Sequence, residues 1–199
     1  MIRPGIFSIV YLLLSVATGW GEETQRVAGR TVDDYAAQLD DQDRVVRLRA
    51  IRSLGVFGVA AGGALLESLS HQDAAVRYLA AVQLGQIGGD PLEKAKPRLS
   101  ELAGDASSLA VQLAASFALC RGGLIDEHLA RLIQTLEYPE RGMVCSAAEL
   151  IGNIGPSAAS AIDALEVAYE KNRPGAKGGD YHIGGAAMNA LRKVRSPQD

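Results

Sequence analysis

The sequence predicts an all-α chain, an α-α superhelix of about five stacked helix pairs. Three observations carry that prediction. First, an alanine recurs in one helical phase, at Ala50, Ala80, Ala115, Ala147 and Ala187, with spacings of 30, 35, 32 and 40 residues. Self-similarity at a period of roughly 20–50 residues marks a stacked-repeat chain. Second, the neighbours recur with it: Leu54, Leu84, Leu119, Ile151 and Leu191 follow by four, and Val46, Val76, Val111, Met143 and Ile183 precede by four. Third, no alternating strand pattern of any length interrupts the helical period.

Each element has a local reason. Apolar residues such as Val46, Ala50, Leu54 and Phe57 make one stripe on a helix. Seven residues before each alanine stand Asp43, Asp73, Ser108, Glu140 and Asp180, all capping types except the glutamate. Gly58, Gly88 and Gly155 suit helix ends, because glycine takes the left-handed cap conformation cheaply. One helix cannot cover its own stripe, so it needs a companion and a next copy.

Residues 1–21 predict a signal peptide: Arg3 provides the positive end, Ile6–Ala17 is a largely apolar run of twelve, and Ala17-Thr18-Gly19 provides small residues. Twelve helical residues span about 18 Å, short of the ~30 Å hydrocarbon core. An uncleaved anchor is the alternative. Residues 22–30 form a polar linker, and 31–199 the repeat domain. Export, periplasmic or secreted, is the expectation that follows.

The expected pairs divide the domain near 31–58, 59–89, 90–123, 124–155 and 156–195. Val32–Leu39 opens with Thr31 as N-cap and Asp34 as a capping-box partner. Ala60–Ser70 precedes Asp73–Ile87. The third pair opens near Pro91, and Pro97 predicts a break with a restart over Pro97–Ala103, followed by a helix from Ser107 to Cys120. Glu127–Leu136 precedes Pro139–Ile154, and Pro156–Tyr169 precedes Asp180–Arg195. Pro139 and Pro156 suit first helical turns.

Asp43-x3-Arg47-x2-Ala50-x3-Leu54-Gly55 and Asp73-x3-Arg77-x2-Ala80-x3-Leu84-Gly85 resemble HEAT repeats, most closely the short variety found in phycobilin lyases and many bacterial proteins. The resemblance covers about residues 31–195. It implies antiparallel helix pairs whose second helices line a concave, partner-holding face. It also implies that Asp43, Arg47, Asp73 and Arg77 form a capping ladder between repeats. The arginine becomes Gln112, Val144 and Gly184 further on, which weakens the ladder there.

Catalytic and metal chemistry finds little support. Cys120 and Cys145 lie seven residues apart in phase, about 10 Å along neighbouring helices. A disulfide needs Cα atoms within roughly 4.4–6.8 Å, so two free thiols are expected. His71, His128 and His182 fall in three separate repeats without metal-binding spacing, and no cofactor is implied. Gly175–Gly185 lacks the ending of a phosphate loop. The basic stretch Glu170–Asp180 reads as a mobile loop. A net charge of −3 argues against a nucleic-acid partner.

What remains is a surface. Positions two before and two after the alanine point to the concave side: Arg52, Tyr78, Val82, Leu113, Phe117, Glu149 and Asn189, with Arg49 beside them. An aromatic centre with a charged rim suits a protein or peptide partner. A superhelix that closes on itself would bury the same side chains. The sequence therefore predicts an exported, non-enzymatic scaffold binding a peptide or protein. A lyase-like or accessory subunit of a cofactor-handling enzyme is the alternative. A membrane enters only through an uncleaved N-terminal segment.

Overall fold

The structure is a computed structural model and describes residues 25–104 and 107–196. The export segment expected over residues 1–21 lies outside them, as do residues 22–24. The described chain runs through α1 (Val32–Ala37), α2 (Arg44–Val56), α3 (Gly62–Ser68), α4 (Ala74–Ile87) and α5 (Gly89–Ala103). It continues through α6 (Leu109–Arg121), α7 (Ile125–Thr135), α8 (Arg141–Ile154), α9 (Ile162–Asn172) and α10 (Tyr181–Val194). Single 3-10 segments extend α1 at its end and lead into α3 and α9.

Each odd-numbered helix packs on the even-numbered helix that follows it. The even helices α2, α4, α6, α8 and α10 pack in series, each on the next. This is a two-layer helical solenoid. Ala50, Ala80, Ala115, Ala147 and Ala187 all have zero exposure, so the recurring phase marks the interior of every layer.

Caps form where the sequence places them. Asp43, Asp73 and Asp180 each accept a hydrogen bond from the backbone N–H two residues on, and Ser108 accepts from Val111. Glu140, the odd residue of the series, makes no side-chain cap. Thr31 and Asp34 complete a reciprocal capping box. Gly88 and Gly155 end α4 and α8 at φ of 68° and 80°, where a Cβ would be strained.

A second small-residue rule sets the spacing between even helices. The position five after the alanine in one repeat meets the position three after it in the next. A Cβ on Gly55 would stand 2.4 Å from the Gln83 amide oxygen, and one on Gly152 only 3.0 Å from Ala190 Cα. At Gly85 it would reach Ala118 Cα at 2.9 Å and Phe117 Cε1 at 2.7 Å. Gln83 uses the room over Gly55 to donate to the Ile51 carbonyl at 2.8 Å. Cys120 takes this phase in the third repeat and is buried in one apolar cluster with Leu150.

Two proline expectations are corrected. Pro97 does not break the third pair, because α5 runs unbroken through it. A proline inside a helix costs ~3 kcal/mol, but the stripe Leu92, Leu99 and Leu102 lies on both sides of it and is at most 2% exposed. Burial of each leucine contributes about 1.5–3 kcal/mol, so continuity outweighs the lost hydrogen bond. Pro139 lies before the Glu140 N-cap, outside α8, instead of in its first turn. Residues 27–30 close a tight turn with paired hydrogen bonds of 2.9 and 3.0 Å, and the Tyr35 hydroxyl donates to the Val27 carbonyl.

The core divides into two apolar clusters, and α6 contributes to both. Ala114, Ala115, Ala118 and Leu119 face the N-terminal cluster, while Leu113, Phe117 and Cys120 face the C-terminal one. A helix that is apolar on every side is one that is wrapped on every side.

Candidate binding surface

The expected inner-face residues separate into three groups. Arg49 and Arg52 are exposed on α2, and Glu149 and Asn189 are exposed on α8 and α10. Tyr78 and Val82 on α4 are partly buried. Leu113 and Phe117 on α6 have zero exposure, so they belong to the core and not to an open face.

The correction has a geometric cause. The Tyr78 phenol stands within interaction range of Ser146 and Glu149, one repeat beyond its neighbour. Burial raises its pKa, the Glu149 charge adds to this, and a hydrogen bond with the Ser146 side chain opposes it. The Tyr78 side chain of α4 thus reaches across α6 to the side chains of α8. Closure of this kind covers Leu113 and Phe117 completely.

The inner side stays open at the C-terminal end, and a second groove lies on the N-terminal end of the stack, between α1 and α2. At the C-terminal end, α8 and α10 flank a groove of about 620 Å³, lined by Cys145, Glu149, Tyr181, His182, Gly185 and Asn189. Four of these are the positions two before and two after the alanines of the last two repeats. Tyr181 is 69% exposed and lies against His182, with ring centroids 4.1 Å apart. Lys193 donates to Asn153 at 2.7 Å, and Arg192 to Asn189 at 3.0 Å, on the groove's rim. At the N-terminal end a groove of about 710 Å³ is lined by Arg30, Tyr35, Gln38, Asp41, Arg49 and Arg52. Tyr181 and His182 were missed as groove residues because the inner positions were counted only two either side of the alanine; Tyr181 stands four before Gly185, one turn further along the same face.

The thiols are unpaired and poorly suited to attack. Cys120 is buried, which pushes its pKa up to about 12. Cys145 is also raised, first by burial and then by Asp180 and Glu149, with Arg141 opposing. A thiolate, not a thiol, is the nucleophile. Among the described residues no three His, Cys, Asp or Glu side chains stand close enough to hold a metal ion. His71 serves the frame: its Nδ1 accepts from the Asp73 N–H at 2.9 Å, and its Nε2 meets the Leu39 carbonyl at 3.1 Å. Burial lowers the pKa of His128, with Glu127 opposing and Arg131 adding.

The capping ladder has one inner rung. Arg47 of the first repeat donates to Asp73 of the second at 3.0 Å, and Arg44 joins at 3.3 Å. Arg77 donates to the His71 and Gln72 carbonyls at 2.8 and 3.0 Å, as Arg47 does to those of Asp41 and Gln42 at 2.8 and 2.9 Å, but the next cap is Ser108 and offers no carboxylate. An outer rung follows between the last two repeats, where Arg141 lies 3.5 Å from Asp180. Arg141 and Arg44 share the position six before the alanine, a recurrence present in the sequence and overlooked there. The loop after α9 is fastened by Asn172, which accepts from the Asp180 N–H at 2.9 Å.

A family model described as HEAT repeats matches residues 32–120. No curated protein matches the chain. Among solved structures, one engineered protein aligns at TM-score 0.50 and 22% identity, covering 82% of this chain and 79% of that one. A second engineered protein aligns at TM-score 0.50 and 20% identity; 86% of this chain is covered, but only 49% of the other, about half its length. A designed armadillo repeat protein, solved with a (KR)4 peptide, aligns at TM-score 0.47 and 18% identity over 82% of each chain. At such identities the likeness is one of fold. The chain is a helical-repeat solenoid, and its residues 32–120 match the model of HEAT repeats.

Proposed function

We propose that the protein is an exported, non-catalytic binding module that holds a peptide or protein segment in the groove between α8 and α10. One observation carries the reading. Of the inner-face positions the sequence singles out, those of the last two repeats remain open and share one groove with an exposed aromatic. Repeat solenoids bind partners along such inner surfaces. The lining mixes the flat aromatic face of Tyr181 with hydrogen-bonding Asn189 and charged Glu149, and Gly185 leaves open space between them, the composition of a protein interface. Export rests on the apolar run Ile6–Ala17 and the small residues that follow it.

The test is comparative capture from the envelope and secreted fractions. Tagged full chain is set beside Asn189→Arg and Tyr181→Ser, with mass spectrometry of what each retains. A partner held by the wild type and released by both variants, at unchanged melting temperature, supports the groove. Identical retention by all three removes it. The mature mass of the recovered protein reports on export: a chain beginning near residue 22 is expected, and an intact Met1 overturns cleavage.

A further inference from the structure

We infer a second recognition site, at the opposite end of the molecule, for an acidic segment of a partner protein. Its groove is lined by Arg30, Arg49 and Arg52, with Tyr35, Gln38 and Asp41 between them. The four arginines of α2 have divided fates. Arg44 and Arg47 are both committed to Asp73. Arg49 and Arg52 are exposed and make no hydrogen bond or ion pair with any other described residue. Arg30 makes a 3.4 Å contact with Gln38, its guanidinium 5.9 Å from the Tyr35 ring centroid, and its charge also acts on Asp34 just outside the groove.

The charge balance inside the groove is three cations against one carboxylate. Asp41 is itself engaged, accepting from the Asp43 N–H at 2.7 Å. A chain with net charge −3 that gathers unpaired arginines in one groove presents a local anion site on a repelling background. Such a background disfavours a long polyanion and admits a short acidic stretch. Tyr35 is only 5% exposed, so no aromatic platform is available for stacking nucleic-acid bases.

The spacing selects an extended peptide. Arg49 and Arg52 are three apart on one helix, so their Cβ atoms stand about 5–6 Å apart. Alternate side chains of an extended strand are about 6.6 Å apart. Two acidic residues separated by one other match the two guanidinium groups, each able to take a carboxylate by two parallel hydrogen bonds. Arg30 then meets a third carboxylate or the backbone carbonyls between.

The site is independent of the α8–α10 groove, and its test is direct. The full chain is titrated against a labelled peptide of repeated Glu-Ala pairs, read by fluorescence anisotropy at low salt. Arg49→Ala/Arg52→Ala is expected to weaken binding by about tenfold or more, and salt near 0.5 M to weaken the wild type similarly. The melting temperature checks that the double variant is folded. Asn189→Arg, at the other end, is expected to bind the acidic peptide as the wild type does, so the two sites fail separately. Absence of wild-type binding, or equal binding by the double variant, overturns the inference. So does tighter, arginine-dependent binding of a single-stranded oligonucleotide. If only a Glu22→Gln/Glu23→Gln chain binds the peptide, the chain's own acidic pair is the occupant and an outside partner is excluded.

Discussion

Asp73 does two jobs, and Asp43 shares only one of them. Both cap a helix, but only Asp73 also receives Arg47 and Arg44 from the preceding repeat. Loss of a cap costs about 1 kcal/mol. Loss of the carboxylate also takes the ion-pair partner from Arg47, whose side chain is 15% exposed and keeps only its bonds to the Asp41 and Gln42 carbonyls, at a further ~1–2 kcal/mol. Denaturant titration is therefore expected to show Asp73→Ala destabilised by about 2–3 kcal/mol and Asp43→Ala by about 1. Asp73→Asn, which can still cap, should fall between them. The pH dependence follows the same carboxylate. Burial raises its pKa, but the Arg47 hydrogen bond, the Ala75 N–H and Arg44 together bring it below the ordinary 3.8. A carboxylate with a depressed folded pKa stabilises fully above its unfolded value, and that contribution drains as pH falls through the folded one. The acid limb of the stability curve below pH 3.8 should be shallower in Asp73→Asn than in the wild type. Thiol labelling gives another residue-level check. Both cysteines have raised pKa values, and Cys120 is 2% exposed. Iodoacetamide on the folded protein should modify Cys145 slowly, faster as pH rises, and leave Cys120 untouched until denaturant is added. Prompt labelling of Cys120 would contradict its packing.

At the scale of elements, adjacent glycines in α10 should respond with opposite sign. A Cβ at Gly184 would stand 2.4 Å from the Asn172 carbonyl oxygen, which is backbone and cannot swing aside. A Cβ at Gly185 meets nothing within 4 Å. Gly184→Ala is expected to cost about 1–3 kcal/mol, and Gly185→Ala to stabilise by about 0.5–1 kcal/mol through helix propensity. Thermal melting of the two variants decides it. The same contact explains why the repeat pattern's arginine is missing there: the end of α9 occupies its place. Helix positions were legible because caps and stripes are local codes, and Thr31, Asp43, Asp73 and the alanine series carried them. Pro97 was misread because a local penalty was weighed without the burial of Leu92, Leu99 and Leu102, which depends on helices distant in sequence. The outward direction assigned to Leu113 and Phe117 failed similarly. A helical phase tells which way a side chain leaves its helix, but not whether a third helix waits there. The run Leu109–Cys120, with Gln112 and Ser116 its only polar side chains, was the available warning that α6 is wrapped on all sides.

At the scale of the whole molecule, the array departs from a one-dimensional stack. In an open solenoid each repeat touches only its neighbours, and stability is a sum of local and nearest-neighbour terms. Here Tyr78 of the second repeat meets Ser146 and Glu149 of the fourth. Phe117 lies beneath that crossing, fully buried and against Gly85. Phe117→Ala should therefore cost about 3–5 kcal/mol. It should also loosen both halves, measured as faster amide exchange in α4 and in α8 alike. Protection lost in only one of the two helices would show that the halves are uncoupled. The inner side was legible as a direction on each helix, but which part of it stays open is set by how α4, α6 and α8 pack, which no single repeat encodes.

The meeting of α4 with α8 also has a mechanical consequence. A simple spring of stacked helix pairs stretches and peels layer by layer. Here the Tyr78 side chain of the second pair also reaches Ser146 of the fourth, so one contact skips a layer and must break before those layers separate. Drawn out by its ends, the chain should part its second, third and fourth pairs at a higher force than Tyr78→Phe does.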